Sequence, residues 1–94
     1  MIITIGTFET EVERFTLSVN ARDEGKRSNR LDLELADKTL NLDSASELIE
    51  TELAENDIVI TNGTNTYTYT DYEFEGISRQ VDTSYDRINL TFKK

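Results

Sequence analysis

Ninety-four residues make one domain, read as 1–94, with room for a single small core. Nineteen Asp and Glu against ten Lys and Arg give a formal net charge of -9, and Cys, His, Pro and Trp are all missing. These zeros exclude a disulfide scaffold, a thiolate nucleophile, a Cys/His zinc site, an imidazole base and a Ser-His-Asp triad. The acidity argues against nucleic acid or an anionic membrane as the main partner.

Strand patterns open the chain. Ile3 and Ile5 alternate with Thr4, and Gly6 and Thr7 can turn it back. Phe8, Thr10 and Val12 alternate with Glu9 and Glu11; then Phe15, Leu17, Val19 and Ala21 alternate with polar residues. The two runs read as two successive strands. A further strand carries Leu31, Leu33 and Leu35 against Asp32 and Glu34. The segment 22–30 between them holds no apolar residue and reads as a charged hairpin loop with Arg22, Lys26, Arg27 and Arg30.

One helix is expected near 45–54. Ser44 with Glu47 fits a capping box, Ala45, Leu48, Ile49 and Leu53 recur at helical spacing, and Glu47 and Glu50 suit the positive end of the helix dipole. Such a short helix is stable only when docked on a sheet. Strands then return. Ile58, Val59 and Ile60 suit a buried, central strand, and Asn62 with Gly63 suits a type I′ hairpin. Residues 64–70 alternate Thr with Tyr67 and Tyr69. Residues 73–81 form the next strand, with Gly76 at a bulge where the apolar side changes from Phe74 to Ile77. Residues 82–84 turn the chain into Ile88, Leu90 and Phe92.

The resulting fold class is α+β, mainly antiparallel β: a small rolled sheet or barrel-like sandwich of seven to eight strands with one helix. The expected core is Phe15, Leu17, Val19, Leu33, Leu35, Leu48, Ile49, Leu53, Ile58, Ile60, Ile88, Leu90 and Phe92. Sheet edges need charge or cover, and Glu9, Glu11, Glu13, Asp32 and Glu34 could supply the charge.

Four features carry candidate chemistry. From residue 39 to 78 there are nine acids and no Lys or Arg; this is either a solvated face or a surface for a basic partner. Asp71, Glu73 and Glu75 share one side of an ideal strand and could flank a hard cation or form a glycosidase-like pair. No calcium-loop pattern accompanies them, and no Trp offers a sugar platform, so no metal or cofactor is expected. Tyr67, Tyr69, Tyr72 and Phe74 suit either cross-strand packing or the centre of a protein interface, with Asp71, Glu73 and Glu75 at its rim. Arg22, Lys26, Arg27 and Arg30 could meet the acidic half of a neighbouring copy or simply be solvated.

The chain resembles small β-rich proteins from the virion-assembly modules of bacteriophages that infect Gram-positive hosts. The resemblance rests on the hairpin opening at 2–12, the mid-chain helix, and the close of 70–79 followed by Tyr85, Asp86, Arg87 and Ile88. It implies a structural or assembly role in a tail, baseplate or head, without catalysis, through contacts with other proteins or copies of itself. The alternative is a small acidic phage inhibitor of a host defence or nucleic-acid-binding protein, using Glu47, Glu50, Glu52 and Glu55. The opening residues 1–6 are too short for a signal peptide, so the expected location is the virion or the host cytoplasm.

Overall fold

The computed structural model of the chain describes residues 1–23 and 26–94, with the side chains of 20–28 left aside. The elements are β1 (Ile2–Ile5), β2 (Phe8–Asp23), β3 (Lys26–Leu35), α1 (Leu42–Leu53), β4 (Ile58–Asn62), β5 (Asn65–Tyr69), β6 (Glu73–Asp82) and β7 (Tyr85–Lys93). The strands form one seven-stranded, open sheet in the order β5-β4-β1-β2-β3-β7-β6. Every neighbouring pair is antiparallel. The fold is therefore α+β and mainly antiparallel, as the alternation patterns require. Among the described residues no helix is long and apolar enough to cross a membrane.

The two expected strands at 8–12 and 15–21 are one strand, β2. The register slips between Val12 and Arg14, so Glu13 is an extra residue. A bulge of this kind lets Val12 and Phe15, three apart, both face inward, and it bends the strand. The N-terminal part of β2 pairs with β1, from Phe8 opposite Ile5 to Glu11 opposite Ile2. From Val12 onward it pairs with β3. β2 is thus the seam where the sheet folds from one wing (β5, β4, β1) to the other (β3, β7, β6). The β2–β3 register slips again between Ser18 and Ala21. A third slip separates Phe74 from Gly76 in β6, leaving Glu75 as the extra residue at the bulge foreseen at Gly76.

The core fills the concave side of this bent sheet. Ile3, Ile5, Ile58 and Ile60 come from one wing, and Leu31, Leu33, Leu35, Ile88, Leu90 and Phe92 from the other; all are at most 2% exposed. The helix packs against β6, β2 and β1, so it bridges both wings. Two expected core residues of β2 fall outside: Leu17 is 38% and Val19 61% exposed. Leu17 lies opposite Leu31, beside the last residues of β7, so the period-two pattern runs past the layer that can cover it. Leu48 is also 38% exposed, on the flank of the helix.

The helix starts three residues earlier than its capping box suggests. Asn41, not Ser44, is the N-cap: it is extended, and its side-chain oxygen accepts from the Ser44 amide at 2.9 Å. The buried stripe is Ala45 and Ile49, with Leu42 and Leu53 half-buried beside it. The earlier start moves Glu50 into the last turn, the negative end of the dipole, where the helix has no basic residue; Asp43 holds the first turn.

Turn chemistry also differs at one place. The β4–β5 register pairs Asn62 with Asn65, so the two turn residues are Gly63 and Thr64. Gly63 has φ +63 and Thr64 is not among the positive-φ residues, the pattern of a type II′ turn rather than I′. Asp32, Glu34 and the three glutamates of β2 do not guard edges, because β2 and β3 are interior strands. Glu34 instead lies between Arg14 (2.8 Å) and Arg87 (3.5 Å), and Asp32 accepts from the Thr91 hydroxyl at 3.0 Å.

Candidate functional site

The two sheet edges are β5 and β6, and they are built differently. β6 carries a bulge at Glu75 and charges at Glu73, Glu75, Arg79 and Asp82. Bulges and charges are the devices by which native edges refuse a further strand. β5 has neither. No residue from 58 to 70 is charged, and the strand itself reads Asn-Thr-Tyr-Thr-Tyr, all compatible with β structure. Among the described residues β5 pairs only with β4.

The parity of the hairpin decides which backbone groups of β5 are free. The closing pair of a two-residue hairpin exchanges hydrogen bonds, and hydrogen-bonded and non-bonded pairs then alternate. Asn65, Tyr67 and Tyr69 therefore turn their amides and carbonyls toward β4. Thr66 and Thr68 turn theirs outward, and both residues are exposed. Their role is carried by backbone, which side-chain reasoning on the sequence overlooks. The readable signal was the absence of charge from 58 to 70 inside an otherwise acidic half.

The four aromatic candidates lie along the open mouth of the sheet, not on an exposed outer face. Tyr67 and Tyr69 stand opposite Ile60 and Ile58, so their rings share the concave side with the core. Tyr67 remains 41% exposed and its ring lies 6.0 Å from that of Phe15. Tyr69 is half-buried and meets Tyr72 edge-on at 5.9 Å. Burial, and then Tyr72 and Tyr67, push the Tyr69 phenol above its ordinary pKa. Tyr72 is 8% exposed, and half-buried Phe74 leans on Phe92 at 5.9 Å. The result is a seam from Phe15 to Phe92, with Tyr67 as its most accessible ring.

The three acids proposed for its rim are not aligned. Asp71 has φ +64 and sits in the link between β5 and β6, outside any strand. Glu75 is the bulged residue, and its carboxylate lies 4.0 Å from Arg30. The bulge breaks the strand geometry that a shared cation or a carboxylate pair would need. Among the described residues no group of three acidic side chains is placed to hold a metal ion. Asp71 does line a shallow pocket of about 300 Å³ with Glu55, Asp57, Tyr69 and Tyr72.

The basic candidates divide. Arg30 is not in a loop: it lies in β3 opposite Lys93, and its guanidinium is engaged within the chain by Asp32 (3.7 Å) and Glu75. The side chains of Arg22, Lys26 and Arg27 lie outside the described residues. On the helix, Glu47 and Glu50 are exposed, while Glu52 is held by Thr7 and Asn56; Glu55 is exposed just beyond the helix end. No protein-family model, curated protein or solved structure matches the chain.

Proposed function

We propose that this chain is a non-enzymatic assembly module that works by protein–protein contact, the role implied by its resemblance to phage virion-assembly proteins, and that β5 is its contact edge. The observation that supports this reading is the contrast between the edges: β6 is charged and bulged, and β5 is neutral, regular and unprotected. A natural sheet that blunts one edge and leaves the other open is adapted to add a strand there. Main-chain hydrogen bonds through Thr66 and Thr68 supply affinity, and Tyr67, at the mouth of the aromatic seam, supplies an anchor that desolvates readily.

The test is incorporation of the chain into its assembly in vivo. Thr68→Pro removes one outward amide without touching the β4–β5 ladder, so it should abolish incorporation while the purified chain stays folded. Charge reversal at Glu47 and Glu50 should leave incorporation intact. The opposite result would favour the acidic-inhibitor reading, in which the exposed helix acids meet a basic target.

A further inference from the structure

Three places in the molecule invite a ligand or partner. The pocket beside Asp71 is acidic but lacks a converging set of groups, and the Arg79–Asp86 fork on the β6–β7 hairpin satisfies itself. The β5 edge goes further, because its sequence also specifies what can pair with it.

We infer that β5 pairs antiparallel with β5 of a second copy about a two-fold axis through Tyr67, joining two seven-stranded sheets into one. The inference rests on the reading of β5 as the contact edge and names its occupant. The stretch 64–70 reads Thr-Asn-Thr-Tyr-Thr-Tyr-Thr, which is nearly the same in both directions. Centred on Tyr67, an antiparallel pair sets Thr66 against Thr68 and Asn65 against Tyr69 of the other copy, with the turn residue Thr64 and Thr70 meeting just beyond the strand ends. Threonines then face threonines on the convex side, and Tyr67 faces Tyr67 on the concave side. Thr–Thr and aromatic pairs are among the favourable cross-strand pairs.

The parity agrees. Only outward-facing residues can exchange hydrogen bonds across a new junction, and here those are Thr66 and Thr68. The Tyr67 register makes Thr66 and Thr68 of opposite copies the bonded pairs, and Tyr67 the closely spaced non-bonded pair at the axis. Registers centred on Thr66 or Thr68 have the same parity but leave part of β5 unpaired. The Thr68 register also brings Asp71 against Asn65.

Charge selects a second copy over an unrelated surface. A chain of net charge -9 repels itself over most of its surface. The neutral edge is where two copies can approach without facing acids. The Tyr67 register sets Asp71, the first acid beyond the edge, against Gly63 of the other copy. A closed isologous pair also uses up the edge, so it forms a dimer and not a filament.

The chain has no cysteine, so a single introduced thiol reports the register directly. Opposed residues of a non-bonded pair lie about 4.5 Å apart at Cα, within disulfide range. Tyr67→Cys should therefore oxidise to a covalent dimer, and Asn65→Cys, displaced from its own symmetry mate, should not. By sedimentation equilibrium the unmodified chain should be a dimer, and Thr68→Pro should weaken the dimer by roughly ten- to a hundredfold, one donor being lost from each copy. An unchanged melting transition at high dilution separates that effect from unfolding. A monomeric unmodified chain at its solubility limit, or Tyr67→Cys and Asn65→Cys crosslinking equally, overturns the self-pairing. If self-pairing fails while Thr68→Pro still blocks incorporation in vivo, the contact-edge reading stands with a different occupant. If the dimer forms but Thr68→Pro is incorporated normally, the reading of β5 as the assembly edge fails and the self-pairing stands.

Discussion

The Thr7 hydroxyl donates to the Glu52 carboxylate at 2.5 Å, tying the β1–β2 turn to the last turn of the helix. The other carboxylate oxygen accepts from the Asn56 amide at 3.0 Å, so both oxygens are engaged. That second oxygen also occupies the space beside Gly6, where an added Cβ would clash with it. The glycine is thus required twice, by its φ of +59 and by the approach of Glu52. Gly6→Ala should destabilise the protein by about 1–3 kcal/mol in denaturant titration. In the background of Glu52→Ala the same substitution should cost less, because the carboxylate no longer crowds the new Cβ and only the backbone term and the Asn56 side chain, itself released from Glu52, remain. Equal costs in both backgrounds would show that Glu52 moves aside freely.

The docked face of the helix is testable by two truncations that each remove three carbon atoms. Ile49 is fully buried between the wings, and Leu48 is 38% exposed. Ile49→Ala should cost roughly 2–5 kcal/mol through lost burial and a residual cavity. Leu48→Ala should cost less than about 1 kcal/mol, near the range of surface changes. Urea midpoints at constant m-value measure both. Equal losses would mean that Leu48 faces the core as the helical spacing alone suggested.

Much of the fold was legible because inward residues keep a strict period. Leu33, Leu35, Ile88, Leu90 and Phe92 are buried as expected, and Ile3, Ile5 and Leu31, which alternate likewise but were left out of the expected core, are buried with them. Legibility ended where the phase changed. The step from Val12 to Phe15 is equally a strand break or a one-residue bulge, and only pairing with β3 on the far side of Glu13 decides it. The helix start was misread at Ser44: Asn41 caps as well as Ser44 does, and Leu42, half-buried beside Ala45 and Ile49, adds an apolar residue to the stripe one turn earlier. The candidate site was legible as residues but not as a surface. Which side of β5 carries Tyr67 depends on its neighbour Ile60, and whether Asp71, Glu73 and Glu75 line up depends on a bulge and one left-handed residue.

Glu50 offers a gain in stability. It is exposed in the last turn of a helix that has no basic residue there, so its charge opposes the unpaired carbonyls at that end. Glu50→Lys should stabilise the chain by about 0.3–1 kcal/mol at low ionic strength, with the gain shrinking as salt is added. A salt-independent change, or a loss, would show that the local field is set by other groups.

The pH dependence should reveal one exposed but well-formed ion pair. Arg79 grips Asp86 with two nitrogens, at 3.0 and 2.6 Å, across the β6–β7 hairpin. The hydrogen bond from Arg79 holds the Asp86 carboxyl below its ordinary pKa. Asp37 is lowered in the same direction by the hydroxyl and amide of Thr39. A lowered folded pKa means that the unfolded chain binds the proton more readily. Stability from both groups is then complete above the ordinary carboxylate range, near about pH 4, and is lost as pH falls through the lower folded values. Asp37 is exposed and Asp86 is half-exposed beside Arg79, so the effect is screened by salt. Asp86→Asn should therefore flatten the acid limb of the stability curve while leaving the slope between about pH 6 and 7 unchanged. Urea midpoints taken from pH 2 to pH 7 on the two proteins test this, and identical acid limbs would show that the fork contributes nothing in solution.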